Sequence, residues 1–262
     1  MSNPRPVVLS ISGHDPSGGA GIQADIETSL ALGCHSCTVI TALTIQDTVD
    51  IRKIIPQPAE QVEQQLRLLF DDLPIRCVKI GLIGSSEMVN TIESVIRTTD
   101  VPVVLDPILA AGGGFDFATR ELVDSLITQL IPLSTVITPN SHEARRLIKT
   151  TKNLDECGRR LNNLGCNHVL VTGAHDQSPE VNNVLYRPSE SPLRFSWKRL
   201  AGSHHGSGCT LASAIAALLA HGQPPVEAVS NAQDFTWKAL EAGIPSRKGQ
   251  SIPNRAHGLG AP

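Results

Sequence analysis

Residues 204–210 read His-His-Gly-Ser-Gly-Cys-Thr and run directly into Leu-Ala-Ser-Ala-Ile-Ala-Ala-Leu-Leu-Ala. Glycine lets the backbone turn so that successive N–H groups converge. A helix that follows adds unpaired N–H donors and the positive end of its dipole. Gly206, Gly208 and Thr210 therefore outline an anion hole suited to phosphate, with a plain glycine turn capped by Thr210 as the simpler alternative. Cys209 falls in the first turn, where the dipole is expected to lower a thiol pKa. It could accept a proton from a hydroxyl or hydrogen-bond to it; the alternative is a small buried filler.

A second loop, Ser-Gly-His-Asp-Pro-Ser-Gly-Gly-Ala-Gly-Ile-Gln-Ala-Asp (12–25), also opens a helix. It lacks the closing Gly-Lys-Ser/Thr of a Walker A loop and the spacing of a dinucleotide fingerprint. Its glycines suit close approach of a flat ligand, with Asp15 or Asp25 holding a polar group of that ligand. Otherwise Asp25 is a solvated helix residue. A third group comprises Asp106, Asn140 and Glu143. Oxygen donors of this kind suit Mg²⁺ carried on nucleotide phosphates, although Asn140 or Ser141 with Glu143 also spells a capping box.

These groups need a scaffold that brings them together. Apolar runs alternate with amphipathic stretches along the chain. Strands are predicted over Val7–Ile11, Cys37–Ile45, Ile51–Ile55, Val78–Ile83, Val101–Leu105, Thr135–Thr138 and His168–Thr172. An antiparallel pair follows over Val181–Tyr186 and Leu193–Trp197. Helices are predicted over Ile22–Leu32, Pro58–Leu69, Glu87–Arg97, Arg120–Leu130, Glu143–Ile148, Leu154–Leu164, Thr210–Leu219 and Val226–Ala242. Strands buried on both faces between helices imply an α/β fold with a mostly parallel sheet in three layers. No linker divides residues 1–262, so one domain is expected, with a loosely ordered tail over Lys248–Pro262. Polar or glycine residues follow nearly every strand, where such sheets bind ligands.

The 262 residues are 40% hydrophobic and only 3% aromatic, so aliphatic side chains must fill the core. A net charge of −3 argues against a general nucleic-acid binder. No apolar run reaches the ~20 residues of a membrane helix, and the N-terminus reads as a buried strand rather than a signal segment. A cytoplasmic protein is expected. Cys34 and Cys37 form a C-x-x-C without a second metal half, read as a reduced, buried pair. The adjacent His204 and His205 are read as solvent-facing or supporting residues.

The segments SGHDPSGGAGIQAD, TALTIQDT, KIGLIG, VVLDPIL, ITPNSHEA and HHGSGCTLASA, in this order, resemble the ribokinase-like superfamily. They are most similar to the hydroxymethylpyrimidine/phosphomethylpyrimidine kinases of thiamine biosynthesis. The resemblance spans residues 7–219. It implies two ATP- and Mg²⁺-dependent phosphorylations, first of a hydroxymethylpyrimidine and then of its monophosphate, and a homodimer. Carried over by position, Gly13, Ala20, Gln46 and Leu82 hold the pyrimidine, joined by Asp25. Gly206, Gly208 and Cys209 form the anion hole. Asp106, Asn140, Thr172 and Thr210 serve the nucleotide, and Asp106 with Glu143 the metal. Many superfamily members carry aspartate where this family has cysteine.

The sequence departs from the family in two places. Segments 106–114 and 171–175, which often carry lysine, contain none here; Ala110, Ala111 and Gly112 stand in one and Thr172 in the other. Backbone N–H groups of Gly112-Gly113-Gly114, or the side chains of Arg255 or Lys248, are the candidate substitutes. A pyridoxal kinase is the neighbouring alternative activity. A vitamin-binding or regulatory protein without catalysis is the alternative of another class.

Overall fold

The computed structural model describes residues 4–110, 118–175 and 178–259. Nine strands form one sheet: β1 (Val7–His14), β2 (His35–Gln46), β3 (Ile51–Pro56), β4 (Ile75–Ile80), β5 (Val103–Leu105), β6 (Val136–Ile137), β7 (His168–Val171), β8 (Glu180–Tyr186) and β9 (Leu193–Lys198). Their order is β3-β2-β1-β4-β5-β6-β7-β8-β9. Pairing is parallel from β2 to β7 and antiparallel at both margins, where β3 joins β2 and where β8 and β9 extend β7. The α/β architecture is the expected one, with an extra antiparallel excursion at β3.

The helices are α1 (Gly21–Ala31), α2 (Ala59–Asp72), α3 (Ser86–Ile96), α4 (Arg120–Ser125), α5 (Ser141–Leu147), α6 (Leu154–Asn162), α7 (Ser207–Ala220) and α8 (Pro225–Glu241). Successive strand residues face opposite layers. Val7, Leu9 and Ile11 of β1 pack with residues of α2 and α3, whereas Val8 packs with α7 and α8. The predicted helix over 120–130 is not uniform: α4 passes into a π turn at Leu126–Leu130 and a 3₁₀ turn at Ile131–Leu133. Pro132 removes an N–H donor there, which favours the tighter final turn.

Cys34 belongs to the α7/α8 core and Cys37 to the opposite one. The C-x-x-C therefore straddles the sheet and cannot act as one chelating pair. Among the described residues no helix is long and apolar enough to cross a membrane.

Two predicted boundaries change the picture of the site. Helix α7 begins at Ser207 rather than Thr210, with Gly206 as its N-cap at φ +72°, so Gly208 and Cys209 lie inside its first turn. The expected loose tail is packed as far as residue 259 is described. Ser251 bridges to His204, Ile252 bridges to Ile244, and Arg255 is buried, with 1% exposure.

Candidate active site

Strand order runs outward in opposite directions from β1, which lies between β2 and β4. Ligand crevices form at the carboxyl ends of strands at such a reversal. A cavity of about 750 Å³ opens there. Gly13 and Ala20 from the loop after β1, Gln46 from β2, Leu82 after β4 and Asp106 after β5 reach its wall. Asn140, Glu143 and Thr172 follow from β6, α5 and β7, and Gly206, Gly208 and Cys209 from the start of α7. These residues, drawn from across the sequence, share one space as expected.

The two glycine loops are fastened to each other. Asp15 accepts hydrogen bonds from Ser17 N (2.8 Å), Ser17 Oγ (3.0 Å) and Ala20 N (2.8 Å), which fold the first loop back on itself. His205 Nε2 lies 2.7 Å from Asp15 Oδ2 and so joins the second loop to the first. Arg255 lies beneath both. It donates through Nε to Thr210 Oγ1 (2.9 Å), through Nη1 to Gly18 O (3.2 Å) and Glu27 Oε2 (2.9 Å), and through Nη2 to Gly19 O.

Burial raises the Asp15 pKa, but hydrogen bonds from His205, Gln46 and Ser17 outweigh it and hold the carboxyl well below the usual range. A depressed folded-state pKa contributes stability at neutral pH that is lost as pH falls below about 4. Asp15→Asn is therefore expected to lower stability by roughly 2 kcal/mol at pH 7, with the difference from the parent closing near pH 3. Thermal unfolding midpoints at the two pH values check this; an equal loss at both would show that the Asp15 charge is irrelevant.

Three expectations are corrected. Asp25 neither touches the pyrimidine pocket nor meets solvent; it is fully buried and paired with Lys79. Thr210 is fully buried and absent from the cavity wall. Its hydroxyl donates to Gly206 O (2.9 Å) and accepts from Arg255, so it neither caps α7 nor reaches a nucleotide. Arg255 is committed to the loops and cannot serve as the phosphate cation, while Lys248 is exposed and off the cavity wall. Gly112-Gly113-Gly114 lie outside the described residues. The cationic side chains that do line the cavity are Arg146, Lys198 and Arg199. Sequence reading missed them because they come from a helix flank and the end of an edge strand, without a motif.

The carboxylate expectations merge. Asn140 Oδ1 accepts from His142 N and Glu143 N, and Glu143 Oε2 accepts from Asn140 N at 2.9 Å, completing the capping box. Glu143 nonetheless still reaches the cavity. Burial and the nearby Asp106 push its carboxyl up to about 8. Burial also raises Asp106 to about 6, against the pull of Lys79. Two buried carboxylates that repel each other are what a hard divalent cation relieves. Their all-oxygen character fits Mg²⁺, which takes one or two carboxylates and fills its remaining positions with water and phosphate oxygens.

Cys209 departs from its predicted chemistry. Burial pushes its thiol up to about 11, although Lys79 pulls the other way. It is therefore an S–H group at neutral pH, able to hydrogen-bond but not to act as a ready base. The far end of the cavity is aromatic. Trp197 and Trp237 stack with centroids 6.4 Å apart and an interplanar angle of 27°. Gln233 Oε1 accepts from Trp197 Nε1 (3.1 Å) and Asn183 Nδ2 (2.9 Å). The chain has only two tryptophans, and their shared wall was the one available hint in the sequence.

Comparison with known proteins agrees with this geometry. The family profile described as phosphomethylpyrimidine kinase matches residues 15–254. A hydroxymethylpyrimidine/phosphomethylpyrimidine kinase of Mycobacterium bovis is 38% identical over 256 residues, covering 95% of this chain and 92% of its own length. The solved phosphomethylpyrimidine kinase of Clostridium difficile superposes with TM-score 0.78 at 32% identity, over 90% of this chain and 100% of that one. The pyridoxal kinase of Staphylococcus aureus in complex with pyridoxal superposes with TM-score 0.90 at 25% identity, over 98% and 96%. With the profile spanning the glycine loops, the carboxylates and the α7 anion hole, the chain belongs to the phosphomethylpyrimidine kinase family.

Proposed function

We propose that this chain transfers the γ-phosphoryl group of ATP to the hydroxymethyl oxygen of 4-amino-5-hydroxymethyl-2-methylpyrimidine, and then a second phosphoryl group to the resulting monophosphate. The observation that carries the reading is one cavity holding the first turn of α7, the Asp106/Glu143 pair and Gln46. A Gln46 amide both donates and accepts, as an aminopyrimidine edge requires. Leu82 and Ala20 supply apolar contact, and Gly13 lets the ring approach the backbone.

In the transfer, an O–P bond forms from the hydroxymethyl oxygen as the bond to the β-phosphate bridging oxygen breaks, releasing ADP. Such transition states are loose, so the protein's work is chiefly alignment and charge stabilisation. N–H groups of the first turn of α7, around Gly208 and Cys209, face the transferred oxygens, and the Cys209 thiol hydrogen-bonds beside the accepting oxygen. Asp106 and Glu143 would hold Mg²⁺, which supplies positive charge to the nucleotide phosphates. Asn140, Thr172 and the cationic side chains of Arg146 and Arg199 line the phosphate track, and the Trp197/Trp237 wall receives the base. The reading carries a cytoplasmic location, with no role for nucleic acid or membrane.

Incubation with Mg-ATP and the hydroxymethylpyrimidine is expected to give mono- and then diphosphate signals by phosphorus NMR. ATP turnover without a phosphorylated pyrimidine would sink the assignment. The close superposition on a pyridoxal kinase favours pyridoxal as the second reading; kcat/KM measured on both substrates separates them.

The sheet margin suggests a homodimer. Thr44 and Gln46 of β2 turn to the cavity, whereas Leu43 (40% exposed) and Ile45 (51%) project from the other face beside Ile55. We place the contact between subunits there. Sedimentation equilibrium is expected to show a dimer that Ile45→Asp dissociates; a monomeric parent protein at micromolar concentration would contradict it.

A further inference from the structure

Two opposite charges lie beneath the anion hole without access to solvent. Lys79 and Asp25 are both 0% exposed, and Lys79 Nζ stands 2.8 Å from Asp25 Oδ1 and 3.0 Å from Oδ2. Ser213 Oγ donates to Asp25 Oδ1 at 2.6 Å. The pair thus joins the middle strand β4 to α1 and α7, the two helices that begin at the glycine loops.

Strand alternation explains the placement. Val78 and Ile80 enter the core under α2 and α3, and Cys77 enters the α7/α8 core, so Lys79 projects toward α7 with Cys77. Ser213 is four residues after Cys209, one helical turn along the same face. Gly81 leaves room for the ammonium, because a Cβ there would stand 2.6 Å from Nζ.

A buried ion pair is a poor way to stabilise a fold, since an apolar pair of similar volume often does as well or better. Its location invites a functional account. Burial disfavours the Lys79 charge, but Asp25, Cys209 and Asp106 more than reverse this and keep the ammonium protonated. Lys79 acts on both the Cys209 thiol and the Asp106 carboxyl more strongly than Asp25 does. The cationic end of the pair is therefore turned toward the site, where low polarity strengthens its field.

We propose that Lys79 is a positioning residue for phosphoryl transfer: its buried ammonium, locked by Asp25 and Ser213, supplies fixed positive potential at the base of the anion hole around Gly208 and Cys209. It touches no substrate and acts through the hole. The role rests on the phosphoryl-transfer reading above, and it accounts for a lone lysine within the apolar run Ile-Arg-Cys-Val-Lys-Ile-Gly-Leu-Ile-Gly (75–84).

The test replaces the pair without leaving a lone buried charge. Lys79→Met with Asp25→Leu should fold with an unfolding midpoint at or above that of the parent. Its kcat should fall about 100-fold, in the range of losing one preorganised electrostatic contact, while KM for the pyrimidine stays within about threefold. Lys79→Met with Asp25→Asn, which keeps an acceptor for Ser213, should show the same split and serves if the first variant folds poorly. Calorimetry with inorganic phosphate as the probe gives a readout independent of the substrate, and affinity should drop about tenfold in both variants. A folded double variant with kcat and phosphate affinity within threefold of the parent would overturn the proposal and leave the pair a purely structural tie. If the parent itself does not phosphorylate the pyrimidine, the substrate assignment fails, and the phosphate titration still decides the role of Lys79.

Discussion

Gly206→Ala is expected to lower kcat/KM by about 10³, equivalent to about 4 kcal/mol of transition-state stabilisation, and to lower the unfolding midpoint as well. The residue caps α7 at φ +72°, a conformation that costs a side-chain-bearing residue roughly 1–2 kcal/mol. More damaging is the neighbour. A Cβ at this position would overlap Gly19 O and press on Ala20 Cα, both backbone atoms of the other glycine loop, which cannot rotate aside as a flexible side chain could. The loops must separate, and the N–H groups of the α7 first turn then lose their aim. Gly222→Ala separates the two effects, because Gly222 sits at φ +85° with no atom near its missing Cβ. That variant should lose about 1 kcal/mol of stability and no activity. Equal activity losses in the two variants would refute the contact argument.

Cys209→Ala is expected to reduce kcat about 100-fold while leaving the pyrimidine KM within about threefold. The thiol is 6% exposed and held protonated at neutral pH by burial, so what alanine removes is a hydrogen bond next to the reacting oxygen rather than a base. Cys209→Ser offers a stronger donor in nearly the same space and should retain at least a tenth of parental kcat. The alternative, a thiolate base, makes the opposite forecast: serine would be as poor as alanine. Steady-state kinetics on both variants discriminate, and unchanged turnover in the alanine variant would remove Cys209 from the chemistry altogether.

The parts of the site that read correctly from sequence share a property. Gly13, Gln46, Asp106, Asn140, Thr172 and Gly208 each follow or end an apolar run, so strand periodicity alone sends them to one edge of a parallel sheet. What misread depends on contacts between residues far apart in the chain. Asp25 looks like a solvated helix carboxylate until Lys79, 54 residues away, is set beside it. Thr210 looks like a cap until α7 is found to begin three residues earlier and Arg255 to claim its hydroxyl. Cys209 was assigned a lowered pKa from its helix position, which is a local effect; the burial that reversed it is created by several elements together. The polar, glycine- and proline-containing composition of residues 248–262 suggested disorder, yet one arginine with four acceptors holds that segment in place.

That arginine also sets an order of events. All nine strands and both glycine loops precede residue 255 in the chain. During synthesis, where earlier segments fold first, the scaffold can assemble while the carbonyls of Gly18 and Gly19 still lack their guanidinium partner. The protein would then be folded before it is competent, with the phosphate-binding loops tightened last by a single late side chain. A chain cut between β9 and Arg255 would resemble the finished molecule by circular dichroism and still be idle.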